Sequence, residues 1–181
     1  MSIFDGVLET FGVTPTVEGL SSSDIEYLSA TEGLSERKWE TLGPVERLNA
    51  LQTLEDKLAE IQHRPPYQVV VETMAPNDYG YFDGNAIHIN ATHVVNPGFR
   101  LEAIDTIAHE GRHAYQEYAV THPGFHPDAK EVEYWAANQD AYMRGDLAVK
   151  TFGFEFYANQ PVELDAVKYA TIVRNALAKA A

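Results

Sequence analysis

The chain has 181 residues, a formal net charge of -14, a pI near 4.8 and no cysteine. So acidic a chain is a poor partner for nucleic acid or an anionic membrane, and the missing thiols exclude disulfides, thiolate metal sites and a cysteine nucleophile. At this length, with 45% apolar residues, it can bury a core as one domain, and no apolar run reaches membrane-spanning length.

The first residues, Met1 to Glu9, lack the basic start and long apolar stretch of a Sec signal. The expectation is a cytoplasmic protein as encoded, or one exported by another route. Ser23 and Glu26 form a capping box for a short helix stopped near Gly33. Ser35 caps a second short helix containing Trp39. Gly43-Pro44 opens a longer helix whose stripe is Val45, Leu48, Leu51, Leu54, Leu58 and Ile61, ended by Pro65-Pro66. The β-branched run Tyr67 to Thr73 reads as a strand. Tyr79 to Asn90 reads as a hairpin with a type I′ turn at Asp83-Gly84. Asn96-Pro97 starts a helix that Pro123-Gly124 ends. Further helices are expected from about Ala129 to Met143 and from Pro161 onward. The order is helices, a small mostly antiparallel sheet, a long helix, then more helices, which is α+β. Residues 1–64 form a helical N-terminal part and 65–181 the core that carries the chemistry, within a single domain.

The long helix holds His109-Glu110-Gly111-Arg112-His113, an HExxH motif. Four residues is a little over one turn, so the two imidazoles share a face, as a tetrahedral Zn²⁺ requires. Glu110 lies beside that face, placed as general base toward a metal-activated water. Leu101, Ile104, Ile107, Ala108 and Ala114 give the helix a buried stripe that the histidines interrupt. A lone histidine there would read as a hydrogen-bonded core residue; two around a glutamate point to a metal.

A catalytic zinc usually takes three protein ligands. The extended form HExxHxxGxxH is absent, because Gln116 and Ala119 stand where it needs Gly and His. The third ligand is then a later carboxylate, Glu133 or Glu163. Pro161 puts Glu163 near a helix N-terminus, where a carboxylate is favoured. It borders the stripe of Val162, Ala166, Tyr169, Val173, Ala176 and Ala180, and Ala166 and Ala170 allow close helix approach. Glu133 borders its own stripe of Val132, Trp135, Ala136, Gln139 and Met143, so helical position alone does not separate the two.

The blocks His109, Glu110, His113, Gln116 and Tyr157, Gln160, Pro161, Glu163, Asp165, Ala166 carry a resemblance over about residues 79 to 170. The chain resembles bacterial gluzincin-like zincin metallopeptidases, some of which are toxin or effector modules of secreted proteins. The resemblance implies zinc held by His109, His113 and Glu163, with Glu110 as base and a polypeptide substrate. The substrate would pair with an edge strand, here Ala86 to Asn90, with side-chain pockets around Tyr81, Phe125 and Trp135. An immunity or inhibitor protein is a possible partner of such a module.

Around this set, Asp165 and Asp105 are candidates to orient a ligating imidazole. Tyr157, Tyr115 and Tyr134, with His122 and His126, are candidates to stabilise an oxyanion. His88 reads as a surface or cleft residue, and Arg112 as the partner of an acid. Two other readings stand beside the peptidase. One is a zincin fold acting only as a binding module. The other is a di-iron carboxylate protein pairing Glu110-x-x-His113 with Glu60-x-x-His63.

Overall fold

The computed structural model describes residues 20–140 and 159–179. The expected helix end at Met143, Tyr157 and Ala180 lie outside these. Helix α1 spans Ser22–Ser29, α2 Glu36–Trp39 and α3 Pro44–Ile61. The capping box of α1 lies two residues upstream of the expected one. Ser21 Oγ accepts from Asp24 N, and the Asp24 carboxylate accepts from Ser21 N–H at 2.8 Å. Glu46 reaches back in the same way to Gly43 N–H at 2.7 Å, starting α3. Leu51, Leu54 and Leu58 of α3 are fully buried, each removal from water stabilising by about 1.5–3 kcal/mol. Val45 is 71% exposed instead. Arg47, not part of the expected stripe, is buried, donating to the Trp39, Val94 and Val95 oxygens.

Strands β1 (Gln68–Glu72), β2 (Gly80–Phe82) and β3 (Ala86–Asn90) form one sheet in the order β1-β3-β2. β2 pairs antiparallel with β3, and β1 pairs parallel with it, Val69 opposite Ile87. The sheet is therefore mixed, not mostly antiparallel, and Ala86–Asn90 is its central strand, not an edge. The loop between β1 and β2 leaves a strand's width into which the returning hairpin inserts β3. Buried Asn90 pins that loop: its Nδ2 donates to the Ala75 and Asp78 oxygens, and its Oδ1 accepts from Thr92 N. Asp83 N–H bonds Ala86 O, so the central turn residues are Gly84 and Asn85, one place later than expected. Of these only Gly84 has positive φ, at 87°, which gives type II′ rather than type I′ sense. Asp83 Oδ1 accepts from the Asn85 and Ala86 N–H groups across the turn.

The chain continues through α4 (Ala91–Val95) and a 3-10 turn, Pro97–Phe99, that Asn96 caps at Gly98 N. Then come α5 (Arg100–Thr121), α6 (Ala129–Asp140) and α7 (Pro161–Ala178). Among the described residues the protein is α+β, with seven α-helices and one three-stranded sheet. None of these helices is long and apolar enough to cross a membrane. α5 is the hub: α3, the sheet, α6 and α7 all pack against it. Ile87 and Ile89 of β3 join Ile104 and Ile107 of α5 and Val173 of α7 in the main core. Tyr115, Ala119, Trp135 and Val162 make a second, smaller cluster under α6.

Candidate metal centre

α5 and α7 bring three side chains together. His109 and His113 come from successive turns of α5, and Glu163 from the first turn of α7. His109 Nε2 lies 3.4 Å from Glu163 Oε2, His113 Nε2 lies 3.6 Å from Glu163 Oε1, and the two Nε2 atoms are 3.0 Å apart. These converging, buried to half-buried atoms could hold a metal ion. Glu133 is exposed on α6 and outside the cluster. Glu60 and His63 are outside it too; Glu60 accepts from the Tyr27 hydroxyl and exposed His63 closes the end of α3.

The approach of α7 is fixed by packing. Ala166 and Ala170 are fully buried, and so is Ala114 of α5. Burial opposes a charge on Glu163, but the two imidazoles outweigh it and hold the carboxyl well below the usual carboxylate range. Burial likewise opposes protonation of His113. The Glu163 carboxylate, with Glu110 and the Gln116 oxygen, more than offsets it and pushes that imidazole up to about 9. His113 and Glu163 thus each favour the charged form of the other across 3.6 Å.

Glu110 is buried at 8% exposure and adds negative potential at His113. Thr106, Glu110, His113 and Glu117 follow at helical spacing on one face of α5. The ends of this face meet the β2–β3 hairpin. A β-carbon on Gly80 would lie 2.6 Å from Thr106 Cγ2, and one on Gly84 3.7 Å from Glu117 Oε1. β2 therefore runs alongside Glu110 and His113. The first of these contacts, with His88 O at 2.4 Å from the same β-carbon, is why only glycine fits at Gly80.

The outer candidates fall elsewhere. Asp165 does not touch an imidazole; it is gripped by Arg112, Nε to Oδ2 at 2.7 Å and Nη2 to Oδ1 at 3.0 Å. It also accepts from Gln116 Nε2 at 2.7 Å. Gln116 Oε1 in turn faces His113 Nδ1 at 2.9 Å. Gln116 belongs to the motif block, but nothing in the sequence spacing shows this contact. Asp105 lies 3.8 Å from Arg174 of α7 rather than against His109. Buried Tyr115 bonds His126 Nδ1 at 2.7 Å, and His126 Nε2 lies 3.2 Å from Glu131, so this pair ties the α5–α6 loop down. His122 stacks on Tyr118, and Tyr134 is 66% exposed. His88 and Tyr81 stack on each other, and strand alternation puts them on the sheet face opposite Gly80 and α5. His88 lies 3.2 Å from both Glu72 and Asp83 there. Trp135 is fully buried, so neither it nor Tyr81 lines a pocket at the metal centre as expected.

Comparisons with protein-family models, with curated proteins and with solved structures each return no match. The chemistry of the site itself therefore carries the functional assignment.

Proposed function

We propose that this protein is a zinc-dependent metallopeptidase of zincin type, holding zinc through His109, His113 and Glu163. The observation that carries the reading is the convergence of those three groups with Glu110 beside them. Zinc favours nitrogen and oxygen donors in tetrahedral array at about 2.0–2.2 Å, which sets ligand atoms roughly 3.3–3.5 Å from one another. The two separations to Glu163, 3.4 and 3.6 Å, lie within about 0.1 Å of that spacing. The two imidazole nitrogens, 3.0 Å apart, would have to open slightly around the ion. Three protein ligands leave one position for water or substrate, the mark of a catalytic rather than a structural site.

When bound, zinc acts as a Lewis acid toward water and the scissile carbonyl. Glu110 takes the proton of the attacking water and delivers it to the leaving amine. A polypeptide lies extended beside this face of α5. Of the two edge strands among the described residues, β1 and β2, the one beside this face is β2. Net charge of -14 favours basic or neutral segments over acidic ones, weakly at physiological salt.

The test is a degenerate peptide library digested by zinc-loaded wild type and Glu110→Gln, read by mass spectrometry. Removing a general base costs about 10²–10⁴ in rate while leaving the metal in place. Equal cleavage by a metal-loaded Glu110→Gln protein would sink the mechanism. No cleavage by wild type, in peptides or folded substrates, would leave a metal-binding module.

A further inference from the structure

The side chain of Gln116 touches both helices that carry the metal centre. Its Nε2 donates to Val162 O at 2.9 Å and to Asp165 Oδ2 at 2.7 Å. Its Oε1 meets His113 Nδ1 at 2.9 Å. Gln116 is 1% exposed, and no water is needed to complete these bonds.

An amide has one acceptor end and one donor end. A carboxylate accepts only, so Asp165 requires the NH₂ end of Gln116. Asp165 cannot turn away, because Arg112 grips both its oxygens. Arg112 is itself caged: its guanidinium lies 4.3 Å from the ring centre of Tyr115, 5.1 Å from Tyr169 and 5.6 Å from Trp135. With the donor end so committed, the acceptor end of Gln116 must face His113. The Nδ1 of His113 then carries a hydrogen, so when the ring gives up a proton to bind a metal the lone pair is freed at Nε2, on the side of Glu163 and His109.

We infer that Gln116, locked by the caged Arg112–Asp165 pair, is a positioning residue that presents His113 Nε2 to the metal and sets metal affinity. This rests on the metal-binding reading above. Val162 and Asp165 flank Glu163 in the first turn of α7, so the same amide also fixes the spacing between the α5 ligands and the α7 ligand. Outer partners of this kind are typically worth about 10–100-fold in metal affinity. The orientation of the relay runs from charge to amide to imidazole, and each member has a single arrangement that satisfies its neighbours.

Zinc affinity is measured by chelator competition for wild type, Gln116→Met and Asp165→Asn, beside melting of each metal-free protein. Gln116→Met keeps the volume and should weaken zinc binding about 10–100-fold while the protein still melts cooperatively. Asp165→Asn frees the amide to turn and should fall between. A second readout needs no variant: in zinc-loaded wild type the His113 Nδ1 proton should exchange slowly with solvent and show dipolar contact to the Gln116 side chain. Zinc bound by wild type, with neither that contact nor any loss of affinity in Gln116→Met, overturns the positioning role alone. Zinc not bound by wild type overturns the metal reading and this inference with it.

Discussion

A β-carbon on Gly111 would lie 2.9 Å from Nη2 of Arg64. The second atom it would meet is Glu55 Oε2, at 3.0 Å, so the middle of the HExxH segment rests on a buried ion pair. That pair is bidentate, at 2.6 and 2.9 Å, with no exposure of either side chain. Its remaining valences are used by Gln62, Pro65 O and Tyr67 N–H. The helix can approach α3 this closely only because the residue between the ligands has no side chain. Gly111→Ala must push the ion pair or the helix aside, at about 1–3 kcal/mol, the usual cost of overpacking. Chemical denaturation measures that loss, and a stability within a few tenths of wild type would show that the ion pair yields without strain.

The ligand assignment predicts different fates for two glutamates. Glu163→Ala removes one of three donors and leaves two imidazoles facing an empty corner. Its zinc affinity should drop by more than the ~10–100-fold expected for losing an outer partner. Glu133→Ala, on an exposed face of α6, should bind one zinc as wild type does. Elemental analysis of the purified variants decides, and the reverse pattern would transfer the ligand role to Glu133.

Much of this site is legible in the sequence, for a local reason. HExxH, its helix and the Pro161 start of α7 are written in spacings of three and four residues. What was not legible depends on long-range choice. Ser21 with Asp24 and Ser23 with Glu26 both place an acid three residues after a serine, and the box that forms is the first. A strand followed by a hairpin does not say which hairpin strand sits beside it, so the central position of Ala86–Asn90 was missed. Glu133 and Glu163 border apolar stripes equally well, and only the docking of α7 distinguishes them. The Arg112 cage draws Tyr115, Trp135 and Tyr169 from three helices, a convergence no single segment displays.

The ion pair of the metal-free centre gives the protein a defined pH response. His113 rises from its ordinary 6.5 to about 9, so its contribution to stability is complete below 6.5 and fades as pH climbs through 9. Glu163 is depressed from its ordinary 4.5, so its contribution is complete above 4.5 and is lost as pH falls toward its native value. Metal-free protein should therefore be stabilised by this pair most fully between about 4.5 and 6.5, and less so toward 9. Zinc competes with the His113 proton, so its affinity should rise about tenfold per pH unit over 6.5 to 9. Titration calorimetry in buffers of different ionisation heat counts that proton; a pH-independent affinity over this range would contradict the pairing.

The strand order predicts how a substrate backbone is held. Asn90 N donates to Tyr79 O and Asp83 N to Ala86 O, so Tyr79, Tyr81 and Asp83 are the residues of β2 and its flanks that bond to β3. Gly80 and Phe82 then direct their N–H and C=O groups to the other side, the free edge of β2 among the described residues. That edge runs beside the Thr106–Glu117 face of α5 with Glu110 and His113 on it. A peptide adding to it would bond through every second residue, since strand N–H groups alternate in direction. N-methylation walked along a cleaved peptide should therefore slow cleavage at alternate positions on one side of the scissile bond and be tolerated between them. Each lost backbone bond is worth about 0.5–1.5 kcal/mol, or roughly 2- to 12-fold in kcat/KM, before steric exclusion by the methyl group adds to it. Cleavage that ignores N-methylation, or that loses activity uniformly along the peptide, would show that the substrate is not paired with β2.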